Sequence, residues 1–309
     1  MPLLYCIMMM VASFMVYESL DSMSSFTALM RNIHIAVTKT KEILDMPPMD
    51  IDGAEIEPSK RDIELKKVSF SYDKKKIIDG VSLRIPEKTT TAFVGPSGGG
   101  KTTLCHLMAR FWDVQEGEVL LGGKNVKDYS FDSLMKNFSF VFQNVYLFED
   151  TIANNIRFGE PEASMARVIE AAKKAKCHDF IMSLPNGYET IIGEGGASLS
   201  GGEKQRISIA RAIMKDAPII ILDEATANVD PENETELTAA IEALTKEKTI
   251  IMIAHRLKTV RYADQIFVID NGHIAQKGTH DDLMKQEGIY KSFVAGRQEA
   301  ASWKIAASV

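Results

Sequence analysis

The chain has 309 residues, enough for two domains or for one domain with an appendage. Apolar residues make up 45% and charged residues 25%, a globular balance that excludes wholesale disorder and collagen-like or coiled-coil composition. A net charge of −6 leaves no overall basic field for nucleic acid. Cys6, Cys105 and Cys177 are far apart, which argues against a disulfide framework or zinc ribbon and fits a reducing compartment. The six histidines show no HxxxH or HExxH spacing for a metal.

Residues 1–17 (MPLLYCIMMMVASFMVY) carry no charge, and nine of the 16 methionines lie in the first 50 positions. As a helix this run spans about 25 Å, marginally short for a bilayer core of about 30 Å. Three assignments stay open: the inner part of a membrane helix, a helix buried in a large core, or a signal peptide. The last lacks a basic n-region, since no lysine or arginine precedes Arg31. Residues 18–45 contain neither Pro nor Gly and put Leu20, Met23, Phe26, Leu29, Ile33, Val37 and Ile43 at helical spacing. This predicts one continuous helix, ending at Met46-Pro47-Pro48 because the residue before a proline is driven out of the α region. Residues 47–60, acidic with three prolines, read as a linker. A globular domain is expected over 61–298 and a tail over 299–309.

Residues 62–70 and 80–85 alternate apolar and polar, predicting antiparallel strands with one wet face. A β-rich run at 89–94 ends in glycines, and a helix should begin near Gly100. Apolar runs recur at 138–142, 218–222, 249–253 and 265–269, separated by helical stretches at about 163–183, 202–215, 231–246 and 279–287. Fully apolar strands alternating with helices predict a largely parallel sheet covered on both faces, with ligands bound beyond the strand carboxyl ends.

Three motifs carry chemistry. Gly95, Pro96, Ser97, Gly98, Gly99, Gly100, Lys101 and Thr102 form a complete GxxxxGK[ST] between a strand and a helix, and Thr103 continues the binding segment. The glycines let backbone N–H groups curl around a phosphate, and the helix start adds partial positive charge. Lys101 can reach β- and γ-phosphates, and the Thr102 hydroxyl can ligate Mg²⁺. Next, a buried strand, Ile219–Leu222, ends in Asp223 and Glu224. Asp223 suits Mg²⁺, and Glu224 suits orienting or deprotonating a water. Third, Leu199-Ser200-Gly201-Gly202-Glu203-Lys204-Gln205-Arg206 opens a helix with a hydroxyl and backbone amides. By itself this is a helix start capped by Ser200. Beside a phosphate loop, it allows one nucleotide to be gripped from two sides.

LSGGEKQR between a phosphate loop and an IIILDE strand resembles the signature of ATP-binding cassette (ABC) nucleotide-binding domains, over about residues 61–295. The resemblance implies a P-loop NTPase fold of α/β class: a mixed sheet with an antiparallel β part and a helical subdomain, preceded here by a long N-terminal helix. It implies that Tyr72 stacks on adenine, that Gln143 contacts Mg²⁺ and the attacking water and couples to the membrane part, that Asp230 speaks across a dimer, and that His255 contacts the γ-phosphate. Gly193–Gly196 and the stretch Phe148–Ile156 resemble segments of exporter-type domains, and the helix ending at Ile43–Pro47 resembles the last membrane helix and linker of fused exporters. On that likeness several membrane helices would precede this point, so the chain reads as a truncation or fragment. Gly99, Glu203, Asn228 and Val229 depart mildly from the family pattern, and none of them removes a catalytic group.

What the resemblance implies is an ATP hydrolase working with ATP and Mg²⁺. Two domains would close head to tail, Lys101, Thr102, Gln143, Asp223 and Glu224 of one facing Ser200 and Gly202 of the other. The implied partners are a second nucleotide-binding domain, transmembrane helices and a membrane, with no nucleic acid. The implied location is the cytoplasmic side of a cell membrane. An ATPase subunit with a separate permease, or a non-transport ABC ATPase, is the alternative. Against nucleic-acid relatives, only 98 positions separate Lys101 from Leu199, too few for their inserted coiled coil.

Overall fold

The computed structural model describes residues 2–46, 49–73, 75–196, 198–223, 231–253 and 260–296. It divides the chain into two units, Met1–Asp50 and Ile51–Val309.

The first unit is a single helix, α1 (Leu3–Leu44), 42 residues long and so about 63 Å in length. With no proline or glycine to interrupt it, the uncharged run and the amphipathic run join without a break. Ser19, Thr27 and Thr40 return their hydroxyls to carbonyls four residues back, each at 2.9 Å, which satisfies these polar groups within the helix. Its most apolar 18-residue window has a mean hydropathy of 1.7 and no part of it is buried. By length and composition the helix is able to cross a membrane. Asp45 caps it, donating its N–H to the Lys41 carbonyl at 2.8 Å, while Pro47 and Pro48 lie outside the described residues.

The second unit holds two main sheets. Strands β1 (Ile63–Tyr72), β2 (Lys75–Ile85), β4 (Glu116–Leu121) and β5 (Lys124–Asn125) form an antiparallel sheet in the order β2-β1-β4-β5. β2 starts earlier than its alternation predicts. The pairing with β1 slips between Val68 and Phe70, and a bulge of this kind switches the faces and hides the period. Six further strands form the central sheet: β12 (His273–Gly278), β11 (Gln265–Asp270), β3 (Thr90–Val94), β10 (Thr249–Ile253), β9 (Ile219–Asp223) and β6 (Phe138–Val141), in that spatial order. All neighbours are parallel except β12, which folds back on β11. β7 (Asp150–Thr151) and β8 (Ile191–Ile192) form a short antiparallel pair of their own.

The apolar runs of the central strands serve two cores. Ile219, Ile221, Ile251, Ile253, Phe267 and Ile269 face the antiparallel sheet and α2 (Lys101–Met108). Ile220, Leu222, Ile250, Met252, Ile266 and Val268 face a helical layer. A strand buried on both faces has no polar alternate position, which is why these runs are continuous. Each such side chain contributes about 1.5–3 kcal/mol by leaving water.

The helical layer contains α4 (Ile152–Arg157), α5 (Met165–Lys174), α6 (His178–Ser183), α7 (Gly201–Lys215) and α8 (Pro231–Thr245). The stretch expected as one helix over 163–183 is two, because Lys176 takes φ +55° and ends α5. β4 and β12 are short and half polar, and no apolar run marks them. Residues 51–56, expected within a linker, are strapped to the domain. Ala54 donates to Asp128 and accepts from Ser130, each at 2.8 Å. The Ser133 hydroxyl, on α3 (Phe131–Met135), donates to the Ile56 carbonyl at 2.6 Å. The proline and acidic composition carries no sign of these long-range bonds. The expected tail, 299–309, lies outside the described residues.

Candidate nucleotide-binding site

The phosphate loop runs from the end of β3 to the start of α2. Gly95 has φ +136°, and a Cβ there would sit 2.0 Å from the Ile269 carbonyl oxygen, so the loop passes too close to β11 for any side chain. Gly100 caps α2 in the left-handed region and abuts β2, where an added Cβ would stand 2.6 Å from Ile78 Cδ1. Gly99 donates its amide to the Pro96 carbonyl at 3.2 Å. Ser97 is exposed, and Thr103 is buried. A cleft of about 730 Å³ opens beside Gly95, Pro96 and Ser97, closed on its other side by Ile289, Ser292 and Phe293.

Lys101 is 6% exposed, and its Nζ donates to the carbonyls of Gly95 at 3.0 Å and Pro96 at 2.8 Å. These carbonyls hold the ammonium against the loop, where a phosphate would compete for it. Thr102 Oγ1 donates to Asp223 Oδ2 at 3.2 Å, bringing together residues 121 positions apart. β9 places Asp223 there because it lies between β10 and β6 in the sheet and ends at the same level as they do. A hydroxyl and a carboxylate side by side are the hard oxygen donors that Mg²⁺ takes. Gln143 is exposed and lies two residues past the end of β6, the strand next to β9.

Tyr72 ends β1 and packs edge-on against Phe70, with ring centroids 4.9 Å apart. Behind the loop, Cys105 is fully buried, and burial with the nearby Asp223 charge pushes its thiol well above the usual range. Burial also pulls His106 below its ordinary value, against a smaller opposing effect of Asp223.

Ser200 to Gly202 sit in the other layer. α7, which they open, packs on α4, α5, α8 and β6. Ser200 accepts from the Glu203 amide at 3.3 Å, and Glu203 accepts from the Ser200 amide at 2.8 Å, a reciprocal cap. Glu203, a departure from the family pattern, thereby has a structural use. Ser200 and Gly201 are exposed and Gly202 is buried, so the helix start is open to an outside ligand. Glu224, Asp230 and His255 lie outside the described residues.

Residues 78–227 match the family model described as ABC transporter. An ATP-dependent lipid A-core flippase of Haemophilus influenzae is 46% identical over 253 residues, which are 81% of this chain and 43% of the flippase. Residues 78–227 form an ABC transporter domain. A Bacillus subtilis protein whose name places it in multidrug export is 48% identical over 231 residues, 74% of this chain and 40% of that protein. The solved structure of a bacterial Atm1-family ABC exporter with ATP bound matches with a TM-score of 0.78 at 37% identity, covering 86% of this chain and 47% of that one. The chain therefore spans less than half the length of these relatives.

The ABC domain carries a second surface that its motifs do not announce. A groove of about 330 Å³ lies between Phe142, Tyr146, Phe148 and Phe158, with Arg211 and Lys215 beneath. All four aromatics are more than 40% exposed. Arg211 donates to the Asn155 carbonyl at 2.9 Å, to Asn155 Oδ1 at 3.0 Å and to the Tyr146 carbonyl at 3.2 Å, and it lies over the Phe148 and Phe158 rings. Burial lowers its guanidinium to about 10, still charged at neutral pH. Asn155 is 1% exposed and bonds the carbonyls of Phe148 and Thr151, each at 3.0 Å, which is the local work of the exporter-like stretch 148–156. Gln205 of the signature helix donates to the Phe142 carbonyl at 3.4 Å, next to Gln143. Arg211 has no sequence signal beyond helical spacing, because its partners lie 56 to 65 residues away.

Proposed function

We propose that the chain is the ATP-hydrolysing part of an ABC exporter, acting as a head-to-tail dimer on the cytoplasmic side of a membrane. The observation that carries this reading is the meeting of Thr102 and Asp223 at 3.2 Å, at the exit of an intact phosphate loop. Oxygen donors from distant segments converge beside a helix start, which suits a Mg²⁺-bound nucleotide.

The roles assigned are those that the resemblance to ABC nucleotide-binding domains implies. Backbone amides of Gly98 to Thr102 cradle the phosphates, and Lys101 exchanges its two loop carbonyls for phosphate oxygens. Thr102, Asp223 and Gln143 would hold Mg²⁺, which would neutralise charge on the phosphate oxygens. Glu224 orients and deprotonates the attacking water, His255 contacts the γ-phosphate, and Asp230 faces the dimer partner. Tyr72 stacks on the purine. Ser200, Gly201 and Gly202 of a second copy close over the γ-phosphate, and the exposed Ser200 and Gly201 at a precapped helix start support this. Catalysis is then positioning and charge neutralisation of a loose transition state.

α1 serves as the end of a membrane helix. The alternatives with a separate permease or without transport are not favoured, because the matched exporters continue well beyond the aligned region in one chain. The relatives' names differ in cargo, lipid A-core in one and multidrug in another, at nearly equal identity.

The test is ATP hydrolysis by the full chain in detergent, wild type against Glu224→Gln, over a range of protein concentration. Specific activity that rises with concentration and disappears in the variant supports the composite-site dimer. Ordinary turnover in Glu224→Gln overturns the general-base assignment.

A further inference from the structure

Trp112 lies on the loop that leaves α2, four residues beyond Met108, and is 49% exposed. It stands at 86° to Tyr72, with centroids 5.4 Å apart, and 6.2 Å from Phe70. Tyr72 is also perpendicular to Phe70. Two perpendicular neighbours fix the plane of the tyrosine ring, since edge-to-face pairs have a preferred geometry.

The loop is built to hold this arrangement. The Gln115 side chain accepts from the Ser71 amide at 2.9 Å and donates to the Ser71 carbonyl at 3.0 Å, and the Gln115 amide donates to the Ser69 carbonyl at 3.2 Å. The segment is thus bolted to β1 at the residue before Tyr72. Arg110 takes φ +55° and its Nε donates to Asp113 at 3.0 Å, which turns the chain back toward the sheet. Lys75 pairs with Tyr72 and lies three residues before Ile78, which abuts Gly100. The aromatic cluster is therefore about 10 Å along β2 from the phosphate loop, at roughly 3.3 Å per residue. α2 begins at the phosphate loop and ends at the loop bearing Trp112, so one rigid element ties both subsites.

We propose that Trp112 is a positioning residue for the nucleobase: it holds Tyr72 in the plane that stacks on a purine and so contributes to binding of the base but not of the phosphates. This deepens the nucleotide reading and rests on it.

The experiment compares the full chain in detergent with Trp112→Ala, Trp112→Phe and Lys101→Ala, titrating each with ATP and with inorganic tripolyphosphate. Trp112→Ala is expected to weaken ATP about two- to tenfold, the range of an aromatic pair, and to leave tripolyphosphate unchanged. Trp112→Phe restores most of the ATP affinity. Lys101→Ala weakens both ligands. Trp112 and Trp303 are the two tryptophans, so in a Trp303→Phe background ATP, and not tripolyphosphate, shifts the Trp112 emission. Unchanged ATP affinity in Trp112→Ala overturns the inference, as does equal weakening of both ligands, which marks a structural role only. A wild-type chain that binds neither ligand, or a Lys101→Ala that binds both normally, overturns the phosphate-loop reading itself and this inference with it.

Discussion

The amide of Gly272 donates to the carbonyl of Gly99 at 3.1 Å, and the Gly272 carbonyl accepts from the Asp79 amide at 3.0 Å. One residue in the β11–β12 turn thus joins the phosphate loop to the antiparallel sheet through backbone alone. The turn has φ +46° at Asn271 and +79° at Gly272, the pair of left-handed residues that a tight hairpin needs. The loop is held from behind at Gly99 by this turn and at Gly95 by Ile269.

Gly272→Ala tests that support. Its Cβ would lie 2.4 Å from the Ile77 carbonyl oxygen, in a backbone region unfavourable to alanine. The expected cost is about 1–3 kcal/mol of stability, read by thermal or urea unfolding. ATP affinity falls as well, because the turn must shift and Gly99 with it. Unfolding and ATP titrations that match wild type would show the contact to be dispensable.

Asp223→Asn and Thr102→Ala test the proposed metal donors. Thr102→Ala removes the hydroxyl, and Asp223→Asn removes the charge and one carboxylate oxygen, of the pair that meets at 3.2 Å. Turnover is expected to fall at least about a hundredfold, the scale of several kcal/mol of charge stabilisation. EDTA is expected to lower wild-type turnover toward that of the variants. The measurement is phosphate release against Mg²⁺ concentration.

Arg211→Lys tests the brace between α7 and the 142–158 segment. A lysine keeps the charge but not the planar fork that reaches both Asn155 and the Tyr146 carbonyl. Loss of hydrogen bonds from a partly buried charged group should cost about 2–3 kcal/mol. Equilibrium unfolding gives the value, and an unchanged midpoint would remove the brace from the account.

His106 governs one part of the acid response. Burial lowers its value from 6.5, and its ring packs 5.3 Å from Phe111. The unfolded chain therefore takes up the proton first, so stability present above 6.5 is lost as pH falls below it. His106→Gln is expected to flatten stability between pH 6.5 and the acid limit relative to wild type. Parallel profiles for the two chains would assign the acid response to other groups.

Several features are legible in the amino-acid sequence because they are local. The phosphate loop shows its glycines, lysine and threonine in one stretch, and the strand leading into it is rich in β-formers. Ser200 announces a cap because capping acts over three residues. Asn271-Gly272 is a hairpin signal that apolar runs alone pass over, and β12 is passed over with it. Alternation reads β2 too short because a bulge in its pairing reverses the faces. Apolar spacing merges α5 with α6 because a single left-handed lysine leaves no mark on it.

Element types, and the residues able to bind phosphate, are written in the chain within a few positions, since side-chain period and loop chemistry act over that range. Strand order is not written there. Asp223 reaches Thr102 because β9 lies beside β10 and β6, a choice made by packing alone. The same holds for Gly272 behind Gly99, Arg211 beneath the aromatic groove and Trp112 against Tyr72. Packing brings together groups that no local pattern relates, because burial rewards whichever distant surfaces fit and leaves no periodic trace of the choice along the chain.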